Sequence, residues 1–133
     1  MSSPLEYLAR PGGSLQRKAP DAAECGGLLR SGRARLTDAK REENSLESRF
    51  DLAYTASHAL CLAALRRTGY RHAHHYVVFQ VLPHTLGLGP EVWRGFDRGH
   101  RLCNQSEYEG ELDVDERTVL DLIAACDAVS AAP

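Results

Sequence analysis

Apolar positions recur every three or four residues along most of this chain, a rhythm that predicts helices. It is clearest from Leu46 to Leu65, where Leu46, Phe50, Ala53, Tyr54, Ser57, Leu60, Cys61, Ala64 and Leu65 fall at threes and fours. A second stripe of Leu52, Ala56, Ala59 and Ala63 is mostly small. Small side chains let a neighbouring helix come close, so this helix is expected to be central and packed on two sides. Asn44 and Glu47 have the spacing of a capping box at its start, and Gly69 is the expected left-handed cap at its end. His58 lies between the stripes and reads as a core-edge histidine.

The flanking segments extend the pattern. Asp21, just after Pro20, opens a helix with Leu28, Leu29, Leu36 and Ala39 as its buried stripe and a basic outer side. Gly26, Gly27 and Gly32 weaken that helix by about 1 kcal/mol each against Ala. Residues 1–20 read as a separate N-terminal segment: a short helix capped by Ser3, then a loosely held linker containing Pro11, Gly12, Gly13 and Pro20. The run from Tyr76 to Leu82 is β-branched enough for a strand, but a lone strand among helices has no partner, so a helix ended by Pro83 is predicted. Pro90 starts the next helix. Asp113 with Glu116, or Asp115 instead, starts the last one, whose stripe is Val119, Leu122, Ile123, Cys126 and Val129. The expected fold is all-α: an up-and-down bundle of four or five helices over residues 21–133, without a sheet. Leu46, Phe50, Ala53, Leu60, Phe96, Leu122 and Ile123 are expected in its core.

Charge and cysteine usage narrow the class. With 133 residues the chain suits one domain, and its net charge of −2 excludes a generic polyanion binder. Any nucleic-acid contact must therefore be local. Cys25, Cys61, Cys103 and Cys126 are widely spaced and form no CxxC pair, so they are expected reduced and packed. No apolar run is long enough to span a bilayer, and the first residues lack a signal-peptide pattern. A cytoplasmic protein with no membrane partner is expected. Of His72, His74 and His75, only His72 and His75 share a helix spacing, and no Cys or Asp completes a set. No metal and no cofactor are assigned.

Residues 91–110 carry the candidate chemistry. Val92, Phe96, Gly99 and Cys103 form the inner side of a helix. Arg94, Arg98, Arg101, Gln105 and Tyr108 step by four, three, four and three, and so line the other side. Like charges at this spacing repel one another. Either the stripe is a solvated face balanced by Asp97 and Glu107, or it is a site for phosphate, which the planar guanidinium fork fits. Arg94, Arg98 and His100 are the candidate ligand-binding residues.

Two motifs carry a family resemblance. Phe50, Ala53-Tyr54-Thr55-Ala56 and Gly69-Tyr70-Arg71, followed by His74 and His75, resemble the second-helix signature of small bacterial HEPN-domain (higher eukaryotes and prokaryotes nucleotide-binding) proteins. Asn104, Glu107, Tyr108 and Gly110 resemble that family's Arg-Asn-x-x-Glu/Asp-Tyr-x-Gly signature, and the likeness spans residues 35 to 129. It implies a helical-bundle homodimer, with the helices of residues 44–69 and 90–110 near the interface. It further implies an RNA or nucleotide ligand, or a nucleotidyltransferase-like antitoxin partner in a toxin–antitoxin or stress role. Arg101, Asn104 and Tyr108 are then the candidate catalytic residues. Cys103 stands where active relatives have Arg, and Tyr108 stands near the place of their His. A phenol with a pKa near 10 is a poor proton shuttle at neutral pH, so little or no RNA cleavage is expected. A non-catalytic protein-interaction module is the alternative, with the arginines pairing acidic side chains.

Overall fold

The longest helices form where the apolar rhythm is strongest. The computed structural model describes residues 4–72, 77–81, 85–88, 90–109 and 114–131, with side chains except at 77, 80, 90, 91, 93 and 103–109. In chain order the elements are α1 (Pro4–Leu8), β1 (Leu15–Arg17), α2 (Ala22–Ala39), α3 (Leu46–Arg67), β2 (Tyr70–His72), α4 (Val77–Gln80), α5 (Pro90–Glu109) and α6 (Glu116–Ala131). The protein is mostly helical.

Local chemistry sets the helix ends. Asp21 accepts from the amides of Ala23 and Glu24 at 2.9 and 3.2 Å and so caps α2. Ser45, not Asn44, caps α3 by accepting from the Ser48 amide at 3.1 Å. Asn44 instead donates to the Asp38 carbonyl, closing the end of the preceding helix. Asp115 accepts from the Thr118 amide at 2.8 Å, so the later of the two expected starts is the one that caps α6. Gly69 has φ of 92° and turns the chain after α3, as expected. Val77–Gln80 is helical, against the strand alternative, and Pro83 lies outside the described residues.

α3 is the central element. Cys25 meets the Ala63 carbonyl, Gly32 meets Leu60, and Arg49 donates to the Ala39 carbonyl, so α2 runs antiparallel to α3. Gly32 explains its own presence here: a Cβ at that position would lie 2.9 Å from the Leu60 side chain. Its cost in helix propensity is set against a closer approach of α2 to α3. The small stripe of Ala56, Ala59 and Ala63 is buried, and its neighbour α2 belongs to the same chain, so α3 is central as expected. On the other side, α5 crosses α6 through Gly95 and Gly99; a Cβ at Gly99 would meet Leu122 at 3.3 Å. Phe50, Ala53, Leu60, Phe96, Leu122 and Ile123 are buried as expected, while Leu46 is only half-buried at the edge.

One expectation is corrected. A small sheet exists: β1 and β2 pair antiparallel, with Leu15 opposite His72, Gln16 opposite Arg71 and Arg17 opposite Tyr70. No strand was expected at residues 70–72, and residues 11–20 had read as linker. Three residues are too few to show a period of two, so neither strand is visible until its partner is known. Leu15, only 1% exposed, anchors the ribbon to the core.

The buried thiols provide a test of this packing. Cys25, Cys61 and Cys126 are free and buried. Burial pushes the Cys61 thiol well above its ordinary value and, with Asp127 nearby, pushes Cys126 up to about 12. A thiol whose folded pKa is raised favours the fold below its unfolded value. That contribution is lost as pH rises, because only the unfolded chain can release the proton. Stability is therefore expected to fall as pH rises from the ordinary 9.0 towards 12. Urea titrations at successive pH values would show it, and a flat profile would contradict it. At neutral pH these thiols should react with a thiol reagent only as fast as the fold opens.

Candidate functional site

The expected site lies on α5, and the structure divides its residues between two flanks. One flank faces α3 and α4. There His100 is half-buried, and its Nδ1 shares a hydrogen bond of 3.0 Å with the Tyr54 hydroxyl of α3. The phenol donates to an unprotonated Nδ1 or accepts from a protonated one. The two rings stack at 6.5 Å, with Phe79 beside both. His58 and His72 meet edge to face at 5.3 Å, and His58 also meets the Phe79 ring edge to face. A chain of rings thus joins α3, β2, α4 and α5. Tyr54 as the partner of His100 was not foreseen. The only signal was a phenol within an otherwise apolar stripe.

The other flank faces α6 and solvent. Arg94, Arg98 and Arg101 are all exposed. Arg98 pairs with Asp121 of α6 at 3.3 Å, and Arg101 pairs with Asp97 one turn back at 3.2 Å. Arg117, also missed by the sequence reading, reaches the same Asp121 at 3.9 Å. Asp115 sits close enough to be influenced by Arg98 and Arg117, although its carboxyl is lowered first by its hydrogen bonds to Thr118. One acid of the neighbouring helix and one of α5 itself thus answer two of the stripe's three arginines. Exposed pairs of this kind contribute little to stability. Arg94 has no ion-pair partner among the described residues. It lines an open groove of about 460 Å³ whose floor is Val92, Gly95, Ala124 and Ala125. Leu120, 49% exposed, lies one turn along the same helix.

The α5 backbone carries Cys103, Asn104 and Tyr108 on a continuous helix, but their side chains lie outside the described residues, as do His74, His75 and Gly110. Arg94 and Arg98 are brought together on the groove, and His100 is turned away from them towards Tyr54. Among the described residues, no group of three His, Cys, Asp or Glu is placed to hold a metal ion, and no helix is long and apolar enough to cross a membrane. No family model, curated protein or solved structure matches the chain.

Proposed function

We propose that the chain is a HEPN-like helical domain that takes a phosphate-bearing ligand, RNA or nucleotide, on the exposed side of α5. In this reading it works as a homodimer, binds that ligand or a nucleotidyltransferase-like antitoxin partner in a toxin–antitoxin or stress role, and has little or no ribonuclease activity. The observation that carries the reading is the 3.0 Å hydrogen bond between Tyr54 and His100. Tyr54 belongs to the Ala-Tyr-x-Ala motif on α3, and His100 is one turn before Asn104 on α5. The bond therefore supports a common site for the two segments on which the family resemblance rests.

The test is binding of a labelled structured RNA to the wild type and to Arg98→Ala/Arg101→Ala. Removal of two guanidinium contacts is expected to weaken binding about tenfold or more. About three phosphate contacts predict a log–log salt slope near −2 on a single strand. Unchanged binding in the double variant would leave the stripe as a surface laced with its own ion pairs. The interaction-module reading would then stand in its place. The groove of small residues beside exposed Leu120 favours that second reading.

A further inference from the structure

A basic crevice opens where α2, α3 and the end of α6 meet. An open hollow of about 540 Å³ runs along the outer side of α2, lined by Ala22, Ala23, Gly26, Leu29, Arg30 and Arg33. Beside it lies a narrow pocket of about 60 Å³. Buried Leu60, Ala64 and Val129 floor that pocket, Leu86 flanks it, and Arg33 and Arg67 stand at its rim. Its volume is several times what one water needs, so it takes the end of one aliphatic side chain. Leu29 and Arg33 line both hollows, so the two adjoin on one surface.

The charge of this surface is unanswered. Arg30, Arg33 and Arg67 are exposed, and none has an ion-pair partner among the described residues. Among those residues, no carboxylate lines either hollow. Glu24 of α2 and Asp127 of α6 are engaged elsewhere, by Arg66 and Lys40. Arg33 donates to two neutral acceptors, the hydroxyl and the carbonyl of Ser130, at 3.2 and 3.4 Å. These fix its place and leave its charge free to meet an acid. Gly26 points the same way. Gly32 is needed for the approach to Leu60, but a Cβ at Gly26 would meet nothing within 4 Å, and its φ is not positive. Glycine there weakens α2 with no packing gain inside the chain.

We infer that this crevice docks an acidic amphipathic helix of a partner protein. One aliphatic side chain of that helix enters the narrow pocket, its backbone passes over Ala22, Ala23 and Gly26, and its carboxylates meet Arg30, Arg33 and Arg67. Small residues let two helix backbones come close. An apolar anchor in a fitted pocket supplies much of the binding energy, and opposed charges select the partner. The crevice shares no lining residue with the α5 groove and does not depend on its role.

The test uses the full chain and fluorescence anisotropy with a labelled synthetic peptide that has leucines at i, i+3, i+4 and i+7 of a helix and glutamates around them. One comparator carries lysines for the glutamates. The other keeps the composition but moves the leucines off the helical spacing. The wild type is expected to bind the acidic peptide at least tenfold, in order of magnitude, more tightly than either comparator. Arg30→Glu/Arg33→Glu should weaken the acidic peptide about tenfold and strengthen the lysine peptide. Gly26→Leu puts a side chain into the hollow and should weaken binding about tenfold. Its thermal melting should be no lower than that of the wild type, since leucine suits a helix better than glycine. Arg98→Ala/Arg101→Ala should bind the peptide as the wild type does. The inference is overturned by no binding of the acidic peptide at about 50 mM salt, by equal binding of that peptide and either comparator, or by wild-type binding in Arg30→Glu/Arg33→Glu or in Gly26→Leu. It is also overturned if Arg30→Glu/Arg33→Glu abolishes binding of a labelled single-stranded RNA while the acidic peptide does not bind, which would assign these arginines to nucleic acid.

Discussion

Replacing Arg66 with Met is expected to lower stability by about 3 kcal/mol or more, which is over a hundredfold in the folding equilibrium. Arg66 is only 1% exposed, yet its guanidinium is fully engaged. Nε donates to Glu24 Oε1 at 2.8 Å, one terminal nitrogen donates to the carbonyls of Lys18 and Tyr70, and the other donates to Ala19 at 2.7 Å. One side chain thus ties the end of α3 to the start of α2 and to both strands at one end of the ribbon. Methionine fills much of the volume but strands three carbonyls, each costing about 1–3 kcal/mol if left without a donor. Glu24→Gln keeps an acceptor in place and should cost far less. Equilibrium urea unfolding of the two variants decides the matter. Equal, small losses would show that water replaces the guanidinium. The pair also has a pH signature. The hydrogen bond from Arg66 holds the Glu24 carboxyl below its ordinary 4.5. Its contribution is therefore present above that value and is lost as pH falls through the lowered one.

Phe79→Ala is expected to cost about 3–5 kcal/mol, the range for emptying a buried phenylalanine site. Phe79 is fully buried on the short helix α4, and its ring lies 5.2 Å from Phe96, 6.2 Å from Tyr54, 6.4 Å from His58 and 6.5 Å from His100. It is the common neighbour of the ring chain that seats His100. Removing it should loosen the Tyr54–His100 bond as well as destabilise the bundle. Tyr54→Phe separates the two effects, since it deletes the hydrogen bond alone and should cost about 1 kcal/mol. Urea unfolding followed by far-ultraviolet circular dichroism provides the comparison. A loss in Phe79→Ala no larger than that in Tyr54→Phe would show that α4 contributes little to the core.

The sequence by itself determined the helices, most of their ends and most of the core. Periodicity acts locally: the spacing of Phe50, Ala53 and Leu60 selects both the helical backbone and the face that leaves water. Caps are equally local, which is why Asp21 and Gly69 were legible and why the miss at Asn44 was only one residue. Tertiary structure alone decided the pairings across the chain. Leu15 becomes a strand residue only because residues 70–72 lie alongside, and Arg66 can be buried only because Glu24 and the carbonyls of Lys18 and Ala19, all distant in sequence, converge on it. The arginine stripe of α5 was legible as spacing, and so was Asp97 as a local acid, which pairs with Arg101, but the partner of Arg98 was not. Asp121 comes from another helix, and no local pattern reveals which acid a tertiary fold places opposite a given cation. Residues 4–20 show the same division. Their prolines and glycines read as a loosely held linker, but the burial of Leu5 and Leu15 depends on a surface built by residues far along the chain.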